Sequence, residues 1–131
     1  MSVQFPKVID IDLAKSTYDE HHGNFYFKLD KQVEERWKQH FRDACQQEGA
    51  DCFYTNQPTI NENEWVVAYA EIEGENDLKT VLYHIKHAVA VANQELREIV
   101  DAEKAEEAKK KAARNELEQK VKRIAGGLDF N

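Results

Sequence analysis

Two histidines, His84 and His87, lie three residues apart in the second half of the chain. On a helix, this spacing places both side chains on one side, where they would share a metal ion such as zinc. Further ligands would have to come from His21, His22 or a carboxylate. The His-Glu-x-x-His spacing of catalytic zinc sites is absent. We therefore expect His84 and His87 to flank an apolar stripe, and a ligand-binding role for them is the alternative.

Two pairs of alternating acids form a second candidate site, Asp10 with Asp12 and Glu71 with Glu73. Alternate residues of a strand point to the same face, so each pair would present two carboxylates together. If the two strands were neighbours, the four carboxylates would suit a magnesium-dependent nuclease. Residues 65–75 contain no lysine to assist such a reaction. Exposed acids alternating with core residues are the simpler interpretation, and the nuclease is a third hypothesis.

The remaining chemical motifs give no further site. Cys45 and Cys52 have neither zinc nor redox spacing, and we expect them to pack as small apolar residues. The five glycines fall at the predicted ends of elements and form no phosphate-binding loop, and a G-x-S-x-G motif is absent. We predict a non-enzymatic protein with no catalytic residue, cofactor or metal.

The elements that position these residues are dominated by one long helix. No Pro or Gly interrupts the chain between Asp77 and Gly126, so the pattern predicts a helix over residues 77–127. At about 1.5 Å per residue it would measure roughly 70 Å, against a radius of gyration of about 13 Å for a 100-residue domain. Its first half carries an apolar stripe typical of packing on a sheet. The stripe comprises Leu78, Val81, Leu82, Ile85, Ala88, Val89, Val91, Ala92, Leu96 and Ile99.

The second half of this helix has a different composition. Residues 101–113 are almost entirely Ala, Glu and Lys, and the alanines Ala105, Ala108 and Ala112 would permit close helix approach. Apolar residues then return at Leu117, Val121, Ile124 and Leu128. Such a patch stays in contact with water unless another surface covers it. We predict that it mediates self-association, which makes the protein a homo-oligomer.

The rest of the pattern predicts an α+β fold. Strands are expected at residues 8–13, 25–29, 52–55 and 65–73, and helices at residues 30–48 and 77–127. Residues 14–24 are either a loop or a short helix. The order indicates an antiparallel sheet of three to five strands with helices on one face, for which a ferredoxin-like arrangement is one candidate. We predict a globular domain over residues 1–100 and a helical extension over residues 101–131.

Aromatic side chains supply a candidate partner-binding face. On a sheet covered by helices on one side, Tyr26, Tyr54 and Tyr69 would point away from the core and could anchor a protein partner. The same rings could stack on bases. However, residues 1–100 hold 10 Lys and Arg against 18 Asp and Glu, a net charge of −8, which opposes nucleic-acid binding.

Composition limits the class of protein further. The chain has 131 residues and a net charge of −7, and its longest apolar run, residues 65–70, is too short to span a membrane. We expect a cytoplasmic protein with no membrane contact. The preferred function is a protein-binding or regulatory module of inhibitor, immunity or accessory type. The alternative is a small-molecule or nucleotide binder whose site lies at an oligomer interface near His84, His87 and the tyrosines.

Overall fold

The part of the chain that the structure describes forms a four-stranded sheet and two helices. The computed structural model describes residues 3–49, 53 and 56–129. In chain order the elements are β1 (Val8–Tyr18), β2 (His22–Leu29), α1 (Glu35–Gln47), β3 (Thr59–Asn61), β4 (Trp65–Glu71) and α2 (Asp77–Gly126). The strands pair antiparallel in the order β1-β2-β4-β3. The predicted α+β class, the antiparallel sheet and the long C-terminal helix are confirmed.

The core lies between the sheet and the helices. Along β2, Phe25, Phe27 and Leu29 are buried, whereas Tyr26 and Lys28 between them are only half-buried. This alternation is that of a sheet with one covered face. The helices contribute the buried side chains of Trp37, Phe41, Ala44, Cys45, Val81, Ile85, Ala88, Val89, Ala92 and Leu96.

A polar chain of hydrogen bonds crosses this apolar core. Trp37 on α1 is fully buried, and its Nε1–H donates to Oδ1 of Asn93 on α2 at 2.7 Å. The Nδ2 of Asn93 donates in turn to the carbonyl oxygen of Pro6 at 2.8 Å. One side chain therefore ties α1, α2 and the segment before β1 together and satisfies the polar atom of a buried indole.

The first hairpin is longer than predicted. β1 continues to Tyr18 and β2 begins at His22, so most of residues 14–24, expected to be a loop or a helix, is strand. The pairing of β1 with β2 is interrupted between Asp12 and Thr17. Ser16 bridges the interruption, because its hydroxyl donates to the carbonyl of Asp12 at 2.6 Å and accepts the N–H of Tyr26 at 3.0 Å. A bulge of this kind hides a strand from a period-2 pattern.

Helix α1 begins later than predicted. The helix was expected to begin at residue 30, and this is wrong. Oδ1 of Asp30 accepts the N–H of Lys7 at 2.8 Å, and the N–H of Asp30 donates to the Lys7 carbonyl at 3.0 Å. The helix starts at Glu35 and ends at Gln47. Gly49, the predicted stop, has φ +101°, a conformation that favours glycine at helix ends.

Strand β3, at Thr59–Asn61, was not predicted. Of the strand expected at residues 52–55, only Phe53 is among the described residues, where it is a buried turn residue, and the rest of this prediction lies outside them. Glu62 and Asn63, with φ 52° and 62°, connect β3 to β4. Two successive positive φ angles match a tight hairpin turn, but Glu at the first position gives little indication of it.

The chain divides into two compact units, Met1–Leu96 (unit 1) and Arg97–Asn131 (unit 2). The division falls four residues before the predicted boundary. Unit 1 holds the sheet, α1 and most of the apolar stripe of α2, whose buried residues run from Val81 to Leu96. Ile99, expected to continue the stripe, is 39% exposed. In unit 2, every described residue except Val100 is exposed.

Candidate functional site

The two central histidines share one carboxylate. Glu48, at the end of α1, places Oε1 2.7 Å from Nδ1 of His87 and 3.4 Å from Nδ1 of His84. The ring of Phe53 lies 6.1 Å from that of His84. Among the described residues no group of three or more His, Cys, Asp or Glu has the geometry to hold a metal ion. The histidines therefore connect α2 to the end of α1, and their ligand-binding role stays a prediction.

The other histidine pair also faces carboxylates. Nδ1 of His21 lies 2.7 Å from Oε1 of Glu73, and Nε2 of His22 lies 3.5 Å from Oδ2 of Asp19. Oδ1 of Asp19 accepts the backbone N–H groups of both histidines, which lowers the pKa of this carboxyl. These contacts shape the turn of the first hairpin.

The four candidate nuclease carboxylates do not converge. The nuclease hypothesis required β1 and β4 to be neighbours, and they are not, because β2 lies between them. Asp10 pairs in register with Lys28, whereas Glu71 pairs with His22 at the other end of β2. His22 and Lys28 lie six positions apart on β2, so these two acids are distant along the sheet.

Asp10 and Asp12 instead bond to the backbone of their own strand. Oδ1 of Asp10 accepts the N–H of Ile11 at 2.8 Å, and Oδ1 of Asp12 accepts the N–H of Lys15 at 3.0 Å. β1 is an edge strand of the sheet. When the backbone N–H groups of an edge strand already donate hydrogen bonds to side chains, they are less able to pair with a further strand. The alternating acids therefore protect the edge.

We expect the double substitution Asp10→Ala and Asp12→Ala to increase edge-to-edge aggregation, because it exposes the Ile11 and Lys15 amides and removes two charges. The matched control, Asp10→Asn with Asp12→Asn, removes the same charges but keeps the acceptor oxygens. Light scattering on incubation at 37 °C, begun from equal concentrations of folded protein, measures the effect. Equal scattering by the two double variants would mean that charge, and not amide capping, protects the edge.

The predicted tyrosine face is only partly described. Tyr54 lies outside the described residues. Tyr26 and Tyr69 are half-buried on the face without helices, with Tyr69 in register with Asn24 and its ring 5.5 Å from that of His22. Their role as anchors for a protein partner stays a prediction.

Lysines and a tryptophan were not predicted on this face. Trp65 is 9% exposed, with Lys15 Nζ 5.2 Å and Lys28 Nζ 4.9 Å from its ring centroid. Lys28 also pairs with Glu64 at 2.8 Å, and this contact lowers the pKa of the Glu64 carboxyl. Lysine stems and ammonium groups thus cover an aromatic ring on the open face. Lys15 reaches it from the β1 bulge, which the sequence pattern did not show.

Cys45 is a structural thiol. It is fully buried on α1, as predicted, and burial, reinforced by the nearby Glu48 carboxylate, raises the pKa of its thiol to about 12. Cys52 lies outside the described residues. At pH 8 roughly one Cys45 thiol in ten thousand would be ionised, and the thiolate is the reactive form.

Native Cys45 should therefore resist thiol reagents. In a Cys52→Ser variant, which leaves a single thiol, we expect Ellman's reagent to react at pH 8 at least about 100-fold more slowly in the native protein than in 6 M guanidinium. Absorbance at 412 nm follows the reaction. Complete labelling of the native variant within the time needed for the unfolded one would contradict a buried, protonated thiol.

Unit 1 has an apolar cleft between β1 and the start of α2. Its volume is about 440 Å³, within the range of ligand and peptide sites. The walls are lined by Val8, Ile9, Ile11, Phe27, Leu78 and Leu82, with Asp10, Glu75, Lys79 and Lys86 also contributing. Phe27 is buried, whereas Ile9 is 55% exposed. The sequence placed Leu78 and Leu82 in the core stripe, but both are only half-buried.

Unit 2 carries the predicted apolar patch. Leu117, Val121, Ile124 and Leu128 are each between 55% and 59% exposed. The first three lie on one side of α2. Leu128 follows the helix end, and its N–H donates to the carbonyl of Ala125 at 3.2 Å. We call these four residues the C-terminal patch.

Comparisons with protein-family models, curated proteins and solved structures find no match to this chain. The site must therefore be interpreted from its own residues. No helix in the described ranges has an apolar stretch long enough to cross a membrane. The chemical candidates near the sheet and helices are engaged in intrachain contacts. Among the described residues, the cleft and the C-terminal patch are two exposed apolar surfaces.

Proposed function

We propose that this protein is a non-enzymatic binding module of regulatory, inhibitor or accessory type that acts in the cytoplasm and self-associates through the C-terminal patch. One observation carries the proposal: three large aliphatic side chains on one side of α2, and a fourth just after the helix end, are each more than half exposed. Contiguous apolar surface of this kind marks an interaction site on a folded protein.

The surroundings of the patch support an interface. Residues 101–113 contain no apolar side chain larger than that of Ala, so they separate the patch from the buried stripe along the helix. Arg114 and Glu118 form only a loose exposed pair, at 3.7 Å. A second copy presents the same surfaces, and association with it needs no other gene product.

The test is a double substitution within the patch. We expect Val121→Glu with Ile124→Glu to weaken self-association by at least about 100-fold, because burying an aliphatic side chain contributes about 1.5–3 kcal/mol and 1.4 kcal/mol is a factor of ten. Sedimentation velocity over a concentration series measures the change. Circular dichroism confirms that the variant keeps its helices.

A matched control adds the same two charges elsewhere on α2. At about 100° per residue, Asn115 and Gln119 lie on the side of the helix opposite the patch, and both are exposed. Asn115→Glu with Gln119→Glu should therefore associate as the unaltered chain does. If both double variants lost association equally, the cause would be added charge and not the patch.

A further inference from the structure

We propose that the C-terminal patch of one copy docks in the β1/α2 cleft of a second copy. This inference rests on the proposed self-association and names the surface that receives the patch. It is a helix-in-groove contact, in which apolar anchors on one side of a helix enter an apolar groove.

The cleft has the form that such a helix needs. Leu78, Leu82 and Lys86 follow each other at intervals of four on α2, so one side of this helix forms a wall. β1 supplies the opposite wall through Val8, Ile9 and Ile11, and buried Phe27 contributes from the neighbouring strand. The groove is thus apolar in its walls, with charged groups from both elements also lining it.

The patch has the spacing of an anchor set. Leu117, Val121 and Ile124 lie at positions i, i+4 and i+7, which keeps them on one side over about two turns, and Leu128 follows just after the helix end. Helix-in-groove ligands use anchors at this spacing. Aliphatic anchors also match the apolar residues of the groove, because the anchors themselves bring no polar group that would need a partner there.

Net charge favours unit 1 of another copy over a second patch. The charged residues that line the cleft itself, Asp10, Glu75, Lys79 and Lys86, balance one another, so the complementarity is that of unit 1 as a whole. Residues 1–96 hold nine Lys and Arg against seventeen Asp and Glu, a net charge of −8. Residues 109–123, around the patch, hold seven against two, a net charge of +5. Docking on unit 1 of another copy brings opposite charges together, whereas pairing two patches brings +5 against +5. Complementary charge favours the first arrangement and like charge opposes the second.

Addition of a further strand to the edge of β1 is less favourable than docking of a helix in the cleft. The Ile11 and Lys15 amides are already bonded to Asp10 and Asp12. A strand added to this edge would have to displace those side chains, whereas a helix in the cleft contacts side chains only. Each copy offers one patch and one cleft, so a copy can donate its patch, receive that of another copy, or do both.

The test is a complementation experiment with full-length variants. The patch variant is Val121→Glu with Ile124→Glu, and the cleft variant is Ile9→Glu with Leu82→Glu. Ile9→Glu alone serves as a second cleft variant, because Ile9 is 55% exposed and its substitution leaves the core intact. Tyr83→Glu is the matched control, since Tyr83 is 65% exposed on α2 and does not line the cleft. Circular dichroism checks the fold of each.

We expect each double variant alone to associate at least about 100-fold more weakly than the unaltered chain. Ile9→Glu should weaken association in the same direction, and Tyr83→Glu should have no effect. Mixing should restore a dimer, because the patch variant keeps a cleft and the cleft variant keeps a patch. Sedimentation velocity of the equimolar mixture, compared with each variant alone, detects this dimer.

The outcomes separate the two proposals. If the cleft variants associated normally and the patch variant did not, the docking inference would be overturned. Self-association through the patch would then stand. Two monomeric double variants that give no dimer on mixing would also overturn the inference. An unaltered chain that is itself monomeric would overturn both.

Discussion

Gly23→Ala should destabilise the protein by about 3 kcal/mol or more. A Cβ built on Gly23 would lie 2.4 Å from Cβ of Tyr18 and 2.7 Å from the carbonyl oxygen of Thr17. Gly23 pairs directly with Tyr18 across β1 and β2. Two of the three nearest atoms belong to the backbone, so the added methyl group can fit only if the strands separate. That movement would break hairpin pairing and uncover Phe25, which stacks on Tyr18 at 5.7 Å.

Urea unfolding followed by fluorescence of the two tryptophans, Trp37 and Trp65, measures this effect. Gly126→Ala is the matched control, because the same methyl group at the end of α2 meets nothing within 4 Å. Its stability should stay within about 1 kcal/mol of the unaltered protein. A Gly23→Ala midpoint as high as that of the control would show that β1 and β2 do not approach so closely at this pair.

Asn93→Ala should lower the free energy of unfolding by about 2–4 kcal/mol, because it leaves two buried polar groups unpaired. The Nε1–H of fully buried Trp37 loses its acceptor at 2.7 Å, and the carbonyl of buried Pro6 loses its donor at 2.8 Å. Each unsatisfied buried group costs about 1–3 kcal/mol. The loss also frees the segment before β1 from α2.

The control for this substitution is Asn115→Ala, an identical change at an exposed position of the same helix. Alanine has the higher helix propensity there, so we expect no loss of stability. Urea unfolding again gives the comparison. Equal stability of both variants would mean that Trp37 finds another acceptor.

The sequence predicts the parts of this fold that have a strong period. The 4-3 spacing of α2 identifies the stripe buried from Val81 to Leu96, and the apolar run of β4 identifies a central strand. The α+β class follows from the order of these elements. The prediction fails where side chains bond to the backbone. Ser16 hydrogen-bonds across a bulge within β1, and Asp30 accepts the N–H of Lys7 instead of starting α1.

Site residues were harder to predict, because their partners are distant in sequence. Glu48 bonds to histidines 36 and 39 residues away, and no local pattern indicates this. The cleft also has no signature, since it arises where α2 leaves Leu78 and Leu82 half-buried beside β1. In contrast, the exposed C-terminal patch depends on local spacing alone, and its residues could be named in advance.

Sedimentation equilibrium of the full-length chain tests the central claim most directly. A monomer has a mass of 15.2 kDa. If the C-terminal patch is covered by another copy, the measured mass should rise with concentration towards at least twice this value, and Val121→Glu with Ile124→Glu should return it to that of the monomer. A mass that stays at that of one chain at every concentration would contradict the account.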